Sequence, residues 1–427
     1  MHAQNTCWLI KNGRIIDPAN QVDRTGDLLV HDGYITEAKQ NAALQCQEID
    51  ASGLWVVPGL TDMHVHLREP GQEYKEDILT GALAAAAGGF TGIACMPNTS
   101  PPNDCRAVTA MILARAESAA ARVYPVGCLS KGLEGKQLAE YGELKEAGVV
   151  ALTDDGKPVS DSQLMRRALE YASDFGLPVI SHCEEEALSR GVMHEGAVST
   201  RLGLKGSPAA AESVMVYRDI ALAECTGRRV HIAHVSTAMA VGLIRAAKAR
   251  GVPVSAETAP HYFTLTEEAV EGYNTNAKMN PPLRTAADRE AIRQGLADGT
   301  IDAIATDHAP HSILEKETEF DIAANGIIGL ETAVSLTLEL VRQGVLDVQR
   351  MIELLAVNPA RLLQLPAGTL SVGTAADITI IDPEREFVYT LDQVVSKSHN
   401  SPFLDQQLKG RAVLTMVDGA IRHNLLF

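Results

Sequence analysis

Between residues 58 and 360 a short apolar run recurs eight times, with an alanine-rich or periodic segment in most of the intervals. The runs at 59–67, 91–98, 121–130, 149–155, 178–184, 229–236, 253–261 and 302–310 read as strands. The segments at 80–87, 107–121, 133–147, 161–173, 208–225, 238–249 and 286–297 read as helices. Strands that alternate with helices pair in parallel through right-handed crossovers. Eight such units over about 300 residues predict a closed α/β barrel of the (β/α)8 TIM type, whose usual size is ~250 residues and up. Two further helices, 331–343 and 347–355, lead out of it.

The two ends of the chain have a different texture. Trp8-Leu9-Ile10 runs to Asn12-Gly13, Arg14-Ile15-Ile16-Asp17-Pro18 follows, and Asp27-Leu28-Leu29-Val30 meets Asp32-Gly33. Asn-Gly and Asp-Gly pairs between apolar runs are hairpin signals. Near the other end, Asp377 to Asp382 reads as a strand that stops at Pro383, and Ala412 to Val417 turns at Asp418-Gly419. Segments 1–57 and 361–427 are therefore expected to pair into one small composite β domain, with the barrel, 58–360, inserted between them.

A barrel of this kind carries its chemistry at the C-terminal ends of its strands. The apolar run Leu54–Leu60 reads as a buried strand that leads into Asp62-Met63-His64-Val65-His66-Leu67-Arg68-Glu69-Pro70. Successive strand side chains face opposite ways, so His64 and His66 share one face and Arg68 continues it. Two imidazoles a strand repeat apart can grip one divalent metal, and a guanidinium suits a carboxylate. An isolated His-x-His is more often two histidines meeting water at a strand end, so its companions must decide.

Those companions lie at the other strand ends. Strand two ends in Met96-Pro97-Asn98, strand four in Thr153-Asp154-Asp155-Gly156, and strand five in Ser181-His182-Cys183-Glu184. Strand six ends in His231-Ile232-Ala233-His234, and strand eight in Ala305-Thr306-Asp307-His308-Ala309-Pro310-His311. Imidazoles and carboxylates converging on one rim suit zinc, with cobalt or manganese as competitors. Bound metal lowers the pKa of water and polarises a carbonyl, and a further carboxylate must then move the proton. Asp307, at the end of the last strand, is the candidate for that role.

Net charge is −17, which argues against a nucleic-acid or anionic-membrane partner. The cysteines at 7, 46, 95, 105, 128, 183 and 225 form no CxxC pair and read as small buried hydrophobes in a reducing compartment. Lys11 and Arg14 precede no long apolar run, and no stretch approaches the roughly 18 residues of a membrane span. The expected location is the cytoplasm.

With these residues in view, the chain closely resembles the dihydroorotases of the amidohydrolase superfamily. The stretch Asp62 to Pro70 resembles the family's first signature, and Ala305 to His311, with Lys316 beyond it, resembles the second. Lys278-Met279-Asn280-Pro281-Pro282-Leu283-Arg284 is similar to a further family block. The resemblance implies that His64 and His66 bind a first metal, that His182 and His234 bind a second, and that Asp155 bridges them. It implies one or two zinc ions per chain, two being favoured, with Asp307 touching the first and shuttling the proton. It gives Arg68, Asn98 and His311 to the substrate α-carboxylate and Asn280 to the pyrimidine ring, with His66 also adjoining the substrate. His231 and His308 read as packed residues or as supports behind the ligands, and the resemblance assigns His261 no role.

The activity so implied is reversible closure of N-carbamoyl-L-aspartate to L-dihydroorotate in pyrimidine synthesis. The alternatives are another cyclic amidohydrolase, such as a hydantoinase or allantoinase, or a scaffold for aspartate transcarbamoylase. A homodimer is the expected assembly, with aspartate transcarbamoylase as a further partner. Many relatives bridge their metals with a carboxylated lysine; strand four has Asp154-Asp155 and no lysine before Gly156, as in the bacterial branch that uses aspartate. Some of that branch carry Phe-Gly where this chain has Asn325-Gly326.

Overall fold

The computed structural model describes residues 7–37 and 45–427. The eight apolar runs of the middle become parallel strands at Leu60–Val65, Phe90–Cys95, Arg122–Gly127, Ala151–Leu152, Ile180–Ser181, Val230–Ile232, Val254–Thr258 and Ala303–Ile304. They pair in chain order as two four-stranded halves. Parallel bridges Leu152–Val179 and Val65–His308 join the halves, so the sheet closes on itself. At the second seam the His66 N–H donates to the His308 carbonyl at 2.8 Å. Asp62 braces the same seam: its carboxylate accepts the backbone N–H groups of His64 and Thr306, both at 3.1 Å. Burial pushes this carboxyl up to about 7 against the pull of those donors.

Strands covered on both faces read as continuous apolar runs, which is why the barrel was visible in the sequence. Ala94, Val126, Ala151, Ile180, Ala233 and Ala303 meet in one buried cluster inside the barrel. A larger cluster, including Val65 and Leu67, packs the strands against the surrounding helices. Several of those helices start where the sequence supplies a capping side chain: Asp77, Asp161, Thr237 and Thr285 each accept backbone N–H groups of the first turn. The segment expected as a helix over 133–147 is α-helical only from Tyr141 to Ala147. Ahead of it, Leu133 and Gly135 take left-handed backbone angles that a helix does not accept.

The two ends form one eight-stranded sheet, joined where Trp55–Pro58 runs antiparallel to Ile378–Val388. Three local readings change. The run Leu54–Leu60 is not one strand: Trp55–Pro58 belongs to the end sheet and Leu60–Val65 to the barrel. Gly59 lies between them, and a Cβ there would overlap the Thr91 side chain. Asn12-Gly13 is a bulge inside the single strand Cys7–Asp17, because both flanks pair with the same neighbour, Val22–His31. The strand at 378 passes through Pro383 to Val388, with the ladder shifted between Asp382 and Glu386 to absorb the missing donor. Asp32-Gly33 and Asp418-Gly419 do turn hairpins.

The cysteines also depart from the reading of uniformly buried thiols. Cys7 and Cys46 are joined as a disulfide, and Cys105 and Cys225 are exposed. Among the described residues no helix is long and apolar enough to cross a membrane.

Candidate active site

Six residues from five strand ends converge at the barrel mouth, and all are buried: His64, His66, Asp155, His182, His234 and Asp307. Asp155 is central. Its Oδ1 lies 3.4 Å from His64 Nε2, 3.4 Å from His182 Nδ1 and 3.5 Å from His234 Nε2. Its Oδ2 lies 3.5 Å from His66 Nε2. Asp307 Oδ1 is 3.1 Å from His66 Nε2 and 3.6 Å from His64 Nε2. Three overlapping groups, His64–His66–Asp155, Asp155–His182–His234 and His64–His234–Asp307, each bring their donor atoms within 4.8 Å of one another. His64 Nε2 and Asp155 Oδ1 are buried with no hydrogen-bond partner. Buried acceptors left unpaired cost free energy, and a divalent cation among these donors would satisfy them. The donor set therefore fits a metal.

In His64, His66 and His182 the ring nitrogen turned away from this centre is committed elsewhere. His64 Nδ1–H donates to Glu257 Oε1 at 2.8 Å, leaving Nε2 as the free lone pair. Glu257 Oε2 is 3.2 Å from His231 Nε2, so His231 stands behind Glu257. His182 Nε2 meets Glu184 Oε2 at 3.0 Å, and its Nδ1 faces the centre, 2.7 Å from His234 Nε2 and 3.4 Å from Asp155 Oδ1. Burial opposes ionisation of both carboxyls, yet their histidine partners hold Glu257 and Glu184 down at about 2. Sequence reading missed both roles. The available signal was a charged residue inside the strand Val254–Thr258, where the other side chains are small or apolar.

Asn98 spans two of the six: its Oδ1 accepts from His66 Nδ1 at 3.0 Å, and its Nδ2 donates to Asp155 Oδ2 at 3.3 Å. Asp154, the neighbour of Asp155, turns away and accepts the Ser130 N–H at 3.0 Å. His308 packs behind the mouth, its Nδ1 accepting the Gly329 N–H at 3.2 Å. His261 is buried too, and burial pushes it down to about 4, so it is neutral.

Arg68 does not continue the strand. The strand ends at Val65, and Arg68 enters a left-handed turn with φ 61°. From there its Nε donates to the Pro310 carbonyl at 3.1 Å, and its Nη2 to His311 Nε2 at 3.2 Å. A guanidinium can only donate, so His311 Nε2 accepts and its ring is neutral. Burial, then the charges of Arg68 and Lys75, push His311 down to about 2. Burial lowers Arg68 to about 10, which leaves it cationic at neutral pH. His234 (φ 33°) and Asp307 (φ 49°) are left-handed as well. Such backbone costs about 1–3 kcal/mol per residue and persists where the surroundings over-determine it.

Arg68, His311, Asn98, Asn280 and Asn325 join five of the six, His66, Asp155, His182, His234 and Asp307, around a cavity of about 210 Å3. Asn280 Nδ2 donates to Glu184 Oε2 at 3.2 Å, so the same carboxylate holds His182 and Asn280. The 312–326 loop beside the cavity is tied down by two buried lysines. Lys316 Nζ donates to the carbonyls of Ala324 (2.8 Å) and Gly326 (3.0 Å), and Lys278 Nζ to those of Phe320 (2.6 Å) and Ala323 (2.7 Å).

Comparison with known proteins bears on this geometry. A family model described as Dihydro-orotase-like matches residues 53–240. The chain is 60% identical over 412 residues to a dihydroorotase of Desulfotalea psychrophila, covering 96% of this chain and 98% of that one. It is 59% identical over 417 residues to a dihydroorotase of Citrifermentans bemidjiense, covering 97% and 98%. Among solved structures, an L-hydantoinase (dihydropyrimidinase) from Arthrobacter aurescens superposes with a TM-score of 0.88 at 26% identity, over 99% of this chain and 96% of that one.

Proposed function

The chain belongs to the dihydroorotase family of cyclic amide hydrolases, and from that premise we propose that it interconverts N-carbamoyl-L-aspartate and L-dihydroorotate in pyrimidine synthesis, in the cytoplasm. The observation that carries the choice of substrate is the Arg68–His311 pair facing the same cavity as five of the six ligand-type residues. A ring amide that also bears a carboxylate needs both features. A hydantoin lacks the carboxylate, so a hydantoinase would leave Arg68 idle. A scaffold-only protein should have lost ligands, and all six positions are occupied by ligand-type residues.

In this reading zinc is the bound metal, two ions per chain, and when bound it supplies an activated water and polarises the ring carbonyl. His64, His66 and Asp307 would hold one ion, His182 and His234 the other, and Asp155 both. Arg68 and His311 would bind the α-carboxylate; because Arg68 Nε is spent on Pro310, the Nη edge is the one left for substrate. Asn280, with its Nδ2 spent on Glu184, would present Oδ1 to a ring N–H. Asn98 would keep His66 and Asp155 in place and adjoin the carboxylate. In ring opening, the Asp307 carboxylate would take a proton from the attacking water and pass it to the departing ring nitrogen; closure would run the same transfers backwards.

The test is a dihydroorotate ring-opening assay run beside metal analysis of the purified protein. One to two zinc per chain, with activity lost on chelation, is expected. Turnover of hydantoin but not dihydroorotate, or full activity in verified metal-free protein, would overturn the reading.

A further inference from the structure

Asn400 stands 89 residues beyond His311 in the chain, within the part assigned from sequence to the small β domain. Instead of joining the sheet, Ser396 to Asn400 packs against the connections that follow the first and last barrel strands. Ser396 Oγ donates to Glu76 Oε2 at 2.5 Å, Ser398 Oγ to the Lys75 carbonyl at 2.6 Å, and the Ser396 N–H to Glu331 Oε1 at 3.1 Å. Residues 75 and 76 lie on the connection that leaves Arg68, so the segment grips the Arg68 side of the mouth.

Asn400 grips the other side. Its Oδ1 accepts the His311 N–H at 2.9 Å, and its Nδ2 donates to the carbonyls of Ala309 (2.9 Å) and Gly326 (3.0 Å). The amide can point only one way, because the His311 N–H needs an acceptor and the two carbonyls need a donor. Asn400 is buried, and its own carbonyl accepts the Ile328 N–H at 3.0 Å. One side chain thus ties the entry of the 312–326 loop to its exit. The neck it closes is tight: a Cβ on Gly326 would lie 2.7 Å from His311 Cδ2. The backbone of His311 therefore follows Asn400, and the ring of His311 with the Pro310 carbonyl sets the plane of Arg68.

We propose that Asn400 is a positioning residue for the carboxylate-binding pair, so that the C-terminal segment completes the substrate site of the barrel. The proposal rests on the reading that Arg68 and His311 hold the substrate α-carboxylate. Among the described residues Asn400 makes no hydrogen bond to His64, His66, Asp155, His182, His234 or Asp307, so its loss should act on substrate binding and leave the metals alone.

Two variants test this in the full-length, zinc-loaded protein. Asn400→Asp keeps the acceptor for His311 but turns an oxygen toward two carbonyls; Asn400→Ser removes all three bonds. In both, KM for dihydroorotate should rise by about tenfold or more, the scale of a lost hydrogen bond to a charged-group support, while kcat stays within about threefold. Zinc per chain should be unchanged. KM does not depend on how much of a sample is folded, so a merely structural role would lower apparent kcat and leave KM at the wild-type value. That outcome overturns the proposal, as does loss of zinc alongside activity, or failure of both variants to yield folded protein. Wild-type protein that cannot open dihydroorotate would instead overturn the functional reading itself.

Discussion

Glu257 and His64 are 193 residues apart in the chain, and their side chains meet at 2.8 Å inside the barrel. That contact decides which nitrogen of His64 is free. Removing the charge but keeping the shape, as in Glu257→Gln, should weaken zinc binding by about 10–100-fold, the usual cost of losing an outer partner of a ligating histidine. Zinc affinity by competition with a chelator measures it. Unchanged affinity would show that His64 needs no such support.

Asp155 and Asp154 are neighbours with opposite surroundings, one among four imidazoles and the other on the Ser130 N–H. Asp155→Ala should strip zinc and abolish ring opening. Asp154→Ala should retain zinc and lose stability instead, because the Ser130 N–H is left buried without its acceptor, at about 1–3 kcal/mol. Metal content and thermal unfolding, measured on both, separate the two. Equal zinc losses would contradict the assignment.

Arg68→Lys keeps the charge and loses the planar fork. A lysine cannot at once reach the Pro310 carbonyl, His311 and a carboxylate in one plane. KM for dihydroorotate should rise by about tenfold or more while zinc content holds, since a lost charge-assisted contact costs about 1.5–3 kcal/mol. An unaltered KM would remove Arg68 from the clamp.

Asp307 carries the pH prediction. Burial opposes its ionisation, but the imidazoles of His64 and His66 outweigh burial and hold the carboxyl below its ordinary range. It therefore starts ionised near neutrality, the state ring opening needs in order to accept a proton. Ring closure needs it protonated. Ring-opening rate should rise with pH to a plateau, and ring-closing rate should fall as pH rises. The midpoints belong to the metal–carboxylate assembly and not to Asp307 alone. Asp307→Asn should lose about 10²–10⁴-fold in both directions while still binding substrate. Forward and reverse profiles of one shape, or normal turnover by the Asn variant, would mean that Asp307 is not the shuttle.

Much of this is legible in the sequence. The eight strands, their order and the placement of His64, His66, Asp155, His182, His234 and Asp307 at strand ends follow from local pattern: a run buried on both faces is apolar throughout, and the residues that break it mark the rim. What lay out of reach was every relation between residues far apart in sequence. Asn12-Gly13 has the composition of a hairpin, and only the continuous pairing on both flanks makes it a bulge. Leu54–Leu60 is one apolar run, and only two separate sheets split it at Gly59. Arg68 lies in register with His64 and His66 on paper, yet it reaches His311 through a left-handed turn. Glu257, Glu184 and Asn400 carry no motif of their own. Their roles exist because closing the barrel, and packing residues 396–400 against the connections at its rim, brings a donor and an acceptor within 3.0 Å, and strand periodicity holds no information about that distance.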